Sequence, residues 1–270
     1  MNYLKRGLKN TYQAIKKHKL LFFSLIILQI ILIVVTSMVT LEYQIKILDN
    51  TKGIMEPIEQ GNYDSDSIQE GELFTQDTLK IYQSYRSLTK NILHYCLWIL
   101  GIFIIFNGGL WILVHSLFER KNFHETMHAY LKFFFSTIIS IIPFFIIAYY
   151  FLKKMVEEIS VTNVSQLIQN TSYALIIVYF FLLIAFAFID VRSWKLFFKK
   201  WFKVGIKNIH KSISVLLINL TLILGSGYLI YRYLYEETFF LMILFSALFV
   251  IILVLTKIFW IACLKEIGKN

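Results

Sequence analysis

The chain has 270 residues, of which 57% are hydrophobic and only 16% charged, with a formal net charge of +10. A soluble domain carries about 25% charged residues, and its core could not absorb this much apolar material, whereas a bilayer can. Twenty-five Phe and sixteen Tyr exclude a disordered chain, and eleven Gly with two Pro exclude a collagenous one.

Residues 1–19 hold six Lys or Arg and no acid. Tyr3–Lys19 reads as an amphipathic elbow helix lying in the membrane interface. The apolar run 20–39 follows. It is too long for a signal peptide and lacks a small-x-small cleavage site, so it reads as a retained first span. The loop 40–90 holds nine acids and five bases, and it is too long for a bare connection. Residues 41–55 and 67–90 read as helices separated by the turn formers 61–67, giving an extracytoplasmic helical insert. Asn62, Asp64 and Asp66 hint at a calcium loop, but the Gly at position 6 and the Glu at position 12 are missing.

The second span is 91–117, interrupted by Asn107-Gly108-Gly109 and carrying His94 and His115 near its ends. A second basic, partly apolar elbow is expected over Phe118–Leu131. The third span, 132–152, contains Pro143, and the fourth is 172–190. Asn163 and Asn170 are sequons expected in the outward loop between them. Ser193–Lys211 is the third elbow. Its aromatics Trp194, Phe197, Phe198, Trp201 and Phe202 are interleaved with lysines, and it carries no acid. The fifth and sixth spans are 212–231 and 238–263. Lys257, near the inner end of the sixth, is expected to snorkel inward. No span alternates with the period of a barrel strand. Cys96 and Cys263 lie inside apolar runs and read as reduced thiols.

Alternate segments differ sharply in charge, with 19 bases and 4 acids on one side and 8 bases and 13 acids on the other. Positive loops stay in the cytoplasm, so both termini are expected inside a cell membrane. The net positive charge then points to anionic lipid and not to nucleic acid. Lys9-Asn10 precedes Phe22-Phe23-Ser24 at the spacing by which Lys121-Asn122 precedes Phe134-Phe135-Ser136. The expected fold is therefore all-α. It is one integral membrane domain over 1–270, built as three units of elbow helix plus two-span hairpin, with the insert at 40–90.

His124-Glu125-Thr126-Met127-His128 matches H-E-x-x-H. On a helix the two imidazoles share a face and could bind one zinc, with Glu125 as general base. The motif resembles that of gluzincin-like membrane metallopeptidases. That resemblance implies His124 and His128 as metal ligands and Glu125 as the catalytic base. Asp190, on the same side, is the candidate third ligand. Glu119 faces elsewhere on the helix, Glu266 lies near the chain end, and Glu157, Glu158, Glu236 and Glu237 lie on the other side. The bland reading makes the motif one more elbow, with Asp190 a helix-end charge beside Arg192.

The elbow before the first span and the helix 118–131 also resemble exporter-type ABC permease subunits. On that resemblance 118–131 docks a protein partner through Phe123 and Tyr130. The sequence contains neither a P-loop nor a nucleophile elbow. The spans hold no midplane carboxylate, which weighs against a proton- or sodium-coupled transporter. The leading reading is a non-enzymatic six-span membrane protein that organises membrane or binds lipid or a partner, without a cofactor.

Overall fold

The computed structural model describes residues 2–60, 78–119, 122–157, 161–234 and 239–269. The described residues form helices and no strand. In chain order these are α1 (Asn2–Lys17), α2 (Lys19–Gln60), α3 (Thr78–Ile102), a π-turn (Phe103–Asn107) and α4 (Gly108–Phe118). They continue with α5 (Phe123–Glu157), α6 (Val161–Phe186), α7 (Trp194–Phe202), a second π-turn (Lys203–Lys207), α8 (Ile209–Leu234) and α9 (Phe239–Lys269). Six stretches are long and apolar enough to cross a membrane: Lys19–Pro57, Leu79–Phe118, Phe123–Phe151, Ser165–Phe186, Ile209–Tyr233 and Phe239–Lys269. The chain is a multi-pass helical membrane protein in architecture.

The helices gather into two compact units, one of residues 31–105 and one of residues 1–30 with 106–270. In the first, α2 and α3 run antiparallel. Thr40 Oγ1 meets the Tyr95 hydroxyl at 3.3 Å, and the rings of Tyr43 and Tyr95 lie 5.8 Å apart. Farther along, a Cβ on Gly53 would fall 2.6 Å from Ser84 Oγ, so glycine is what lets the helices close there. The helix expected over 41–55 is thus a continuation of the first span, and the part of the one expected over 67–90 that is described, from Thr78 on, runs into the second. The 61–67 turn with Asn62, Asp64 and Asp66 lies outside the described residues, as do Lys121, Glu158, Glu236 and Glu237.

In the other unit α1 and α2 meet at His18, a one-residue break bridged by Phe22 N–H donating to His18 O at 3.1 Å. The elbow at the N-terminus therefore forms. It turns its small residues Gly7, Thr11 and Ala14 inward onto α9. A Cβ on Gly7 would fall 2.3 Å from Cys263 Sγ, so a larger residue cannot sit there without displacing α9. Asn10 Nδ2 donates to Glu266 Oε1 at 3.3 Å. Both ends of the described chain therefore meet at one end of this unit, here named the basic end.

The elbow expected over 118–131 does not form as a separate helix. α4 ends at Phe118, and α5 starts at Phe123 and runs unbroken through residue 131 and through Pro143. Asn122 and Glu125 start it with the acid half of a capping box. The backbone N–H of Asn122 donates to Glu125 Oε2 at 3.3 Å, and its carbonyl accepts the first helical bond, from Thr126 N–H, at 3.0 Å. Asn163 and Asn170 fall inside α6 and not in a loop. The third elbow forms as α7 with the second π-turn, where Ser212 Oγ donates to Val204 O at 3.0 Å.

Candidate functional site

The sequence motif lies at the start of α5. His124 and His128 face one another one turn apart, with ring centroids 4.5 Å apart. They share an open cleft with Glu119, Glu125, Lys132, Asp190 and Arg192. Glu125 spends one carboxylate oxygen on the α5 cap described above. The described residues contain no group of three His, Cys, Asp or Glu positioned to share a metal ion.

Asp190 turns toward cations. Its Oδ2 is 3.4 Å from His115 Nδ1 and pairs with Lys265 Nζ. His115 in turn donates from Nε2 to the Phe186 carbonyl at 2.9 Å. These contacts supplement the tightened turn that ends α6, where Ala187 N–H donates to Leu183 O at 3.2 Å and to Ile184 O at 3.1 Å, and Phe188 N–H to Ala185 O at 3.0 Å. Leu183 O accepts from Trp260 Nε1 at 2.9 Å, and Phe186 O from His115. Just beyond, Lys132 Nζ, on a side chain almost wholly buried, donates to Val191 O and, at 3.2 Å, to Arg192 O. Cationic side chains at a helix C-terminus also complement its dipole. Asp190 lies past the end of the fourth span. Burial alone would raise its carboxyl, but the charges and hydrogen bonds of His115 and Lys265 outweigh that and hold it well below the usual carboxylate range.

Compared with known protein families, curated proteins and solved structures, the chain matches none.

The second polar cluster lies deeper. Lys257 does not snorkel to the basic end. Its Nζ donates to Gln29 Oε1 at 2.9 Å and to Asn107 Oδ1 at 3.2 Å. Asn107 is the last residue of the first π-turn, so the expected interruption at 107–109 is real and has a use. A π-turn inserts an extra residue into the helix and commonly marks a functional site. Asn219 of α8 donates from Nδ2 to Thr256 O at 3.2 Å, the carbonyl next to Lys257. Its Oδ1 is buried and has no hydrogen-bond partner. Among the described residues no carboxylate pairs with Lys257.

Lys257 taken alone does not disclose this cluster. The available signal was common depth. Gln29, Asn107, Asn219 and Lys257 each lie ten to twelve residues from the basic end of their helix, or about 15–18 Å along it.

Proposed function

We propose that the chain is a non-enzymatic six-span membrane protein that binds anionic lipid at its basic end, which faces the cytoplasm, and organises the bilayer there. The observation that carries this reading is α7. Phe197 is its buried anchor, while Trp194, Leu196, Phe198 and Phe202 remain exposed. The rings interlock, with Trp194 and Phe197 centroids 5.8 Å apart and Phe198 and Trp201 6.5 Å apart. Lys195, Lys199 and Lys200 lie between them. Exposed aromatics and lysines on one short helix suit the headgroup layer, where the rings enter the acyl boundary and the lysines meet lipid phosphates. Each lysine near an anionic surface contributes about 1 kcal/mol. With α1 before α2 and α7 before α8, two of the three expected elbow helices are present.

The test is the lipid that stays with the purified protein. Anionic lipid should be enriched over its share in the source membrane. Changing Lys195, Lys199 and Lys200 together to Gln should remove most of that enrichment. Equal lipid profiles for the two proteins would overturn the reading.

A further inference from the structure

We propose that a pocket at the depth of Lys257, between α6 and α8, binds a long-chain carboxylic acid drawn from the bilayer. The proposal rests on the six-span reading but not on the lipid site at α7. The pocket has α4 and α9 as its back wall. Its floor carries Asn107, Asn219 and Lys257, and its sides carry aromatic and aliphatic groups, Trp111, Leu183 and Trp260 among them. Tyr179 of α6 and Leu220 of α8, 48% and 41% exposed, flank the mouth. At this depth what lies outside the mouth is hydrocarbon.

Two polar demands in this pocket are unmet. An ammonium has three N–H donors, and Lys257 places two, on Gln29 and Asn107, leaving one without a protein acceptor among the described residues. Asn219 Oδ1, in a residue only 6% exposed, is an acceptor without a donor. A buried polar atom without a partner costs about 1–3 kcal/mol, and a lysine at membrane depth costs more, so each asks for an explanation. A carboxyl group has two oxygens, one to accept from Lys257 and one that, while it holds its proton, donates to Asn219, whereas a hydroxyl would have to serve both from a single oxygen. The acyl chain would leave through the mouth between Tyr179 and Leu220.

Charge and depth select this ligand over phosphatidic acid, and depth selects it over the phosphodiester lipids. A phosphate monoester brings up to two negative charges and three acceptor oxygens, whereas the pocket offers one ammonium. Lys257 also lies eight residues, about 12 Å, deeper along α9 than Lys265, which is in the charge network at the basic end. A glycerophosphate headgroup sunk that far would carry its ester and phosphate groups below the interface, while a carboxyl carries little else.

The experiment uses the full chain, delipidated in detergent. Trp111 and Trp260 line the pocket, so a dibrominated stearic acid should quench tryptophan emission saturably. Unlabelled oleic acid should displace it. Oleyl alcohol, which has the same chain but no acid, should compete at least about tenfold more weakly. Lys257→Gln and Asn219→Leu should each weaken binding, and the triple glutamine variant of α7 should leave it unchanged. That last result separates this site from the surface one. Oleyl alcohol competing as well as oleic acid would overturn the proposal on the wild-type protein alone, whatever the variants do. Undiminished binding by Lys257→Gln would do so too. Phosphatidic acid displacing the probe better than oleic acid would overturn the choice of a carboxylic acid.

Discussion

Asp190→Asn keeps the shape of the side chain and removes its charge, which isolates what the network at the basic end contributes. In the wild type, one carboxylate faces His115, whose side chain is 0% exposed, and Lys265, whose side chain is 21% exposed. Breaking a buried ion pair by deleting one partner costs about 3–5 kcal/mol, because the remaining charge has nowhere to go. Lys265 can turn toward water, and its contact over the Phe118 ring at 5.5 Å would remain. His115, wholly buried, keeps its bond to Phe186 O but loses the carboxylate at Nδ1, so the expected cost is at the low end, about 3 kcal/mol. At roughly 2–4 °C per kcal/mol, the melting temperature should fall by about 6–12 °C. The assay is thermal aggregation of the detergent-purified chain, followed by gel filtration. A carboxyl depressed in the folded state stabilises fully above its unfolded value near 4 and loses that contribution as pH falls through the folded value. Asp190's own titration therefore leaves the gap between the proteins constant from about pH 5 upward, and the gap closes in stronger acid. The double variant Asp190→Asn, Lys265→Met removes one stranded cation and should recover part of the loss. Equal melting of Asp190→Asn and wild type would refute the account of the network.

Gly7→Val should detach α1 from α9, since even the first carbon collides with Cys263; overpacking of this kind costs about 1–3 kcal/mol. It should be read as faster reaction of Cys263, buried in the wild type, with a maleimide. Glu125→Ala should lower stability by only about 0.5–1 kcal/mol, the value of an exposed cap, measured by the same melting assay. Zinc per chain should be substoichiometric and the same in wild type and His124→Ala after metal-replete purification. One zinc per wild-type chain, lost in the variant, would restore the metallopeptidase reading. A reporter active only outside the cytoplasm should be inactive when fused to the C-terminus, and its activity there would reverse the proposed orientation.

The spans were legible because hydrophobic length alone decides them, and so were the elbows before α2 and α8. The elbow expected at 118–131 failed for a local reason. Composition identifies an amphipathic stretch, but only a break makes it a separate helix, and nothing between Leu131 and Lys132 breaks one. The start of α5 was written in the sequence as Asn122-x-x-Glu125, an N-cap followed by its reciprocal acid. The H-E-x-x-H motif overlaps that signal, and the glutamate read as a base is held by the cap. Asp190 shares a cleft with the histidines. Its pairing with His115 and Lys265 comes from positions 75 residues away on each side, beyond the reach of local pattern. The partners of Lys257 are not legible, because one sequence gives depth but not the direction a side chain faces.

The seat of α1 bears on how the chain is made. Asn10 and Glu266 are 256 residues apart in sequence, and at about 5–20 residues per second that interval lasts roughly 13–50 s. Throughout synthesis of the intervening spans, α1 is without the helix against which Gly7 closes. An amphipathic helix can wait that long at the lipid surface with its apolar residues immersed. Its lysines and its small-residue stripe thus serve different moments. On the proposed reading the first would hold a newborn segment at the membrane, and the second lets it seat on α9 once that helix arrives, with Leu8 and Tyr12 still exposed.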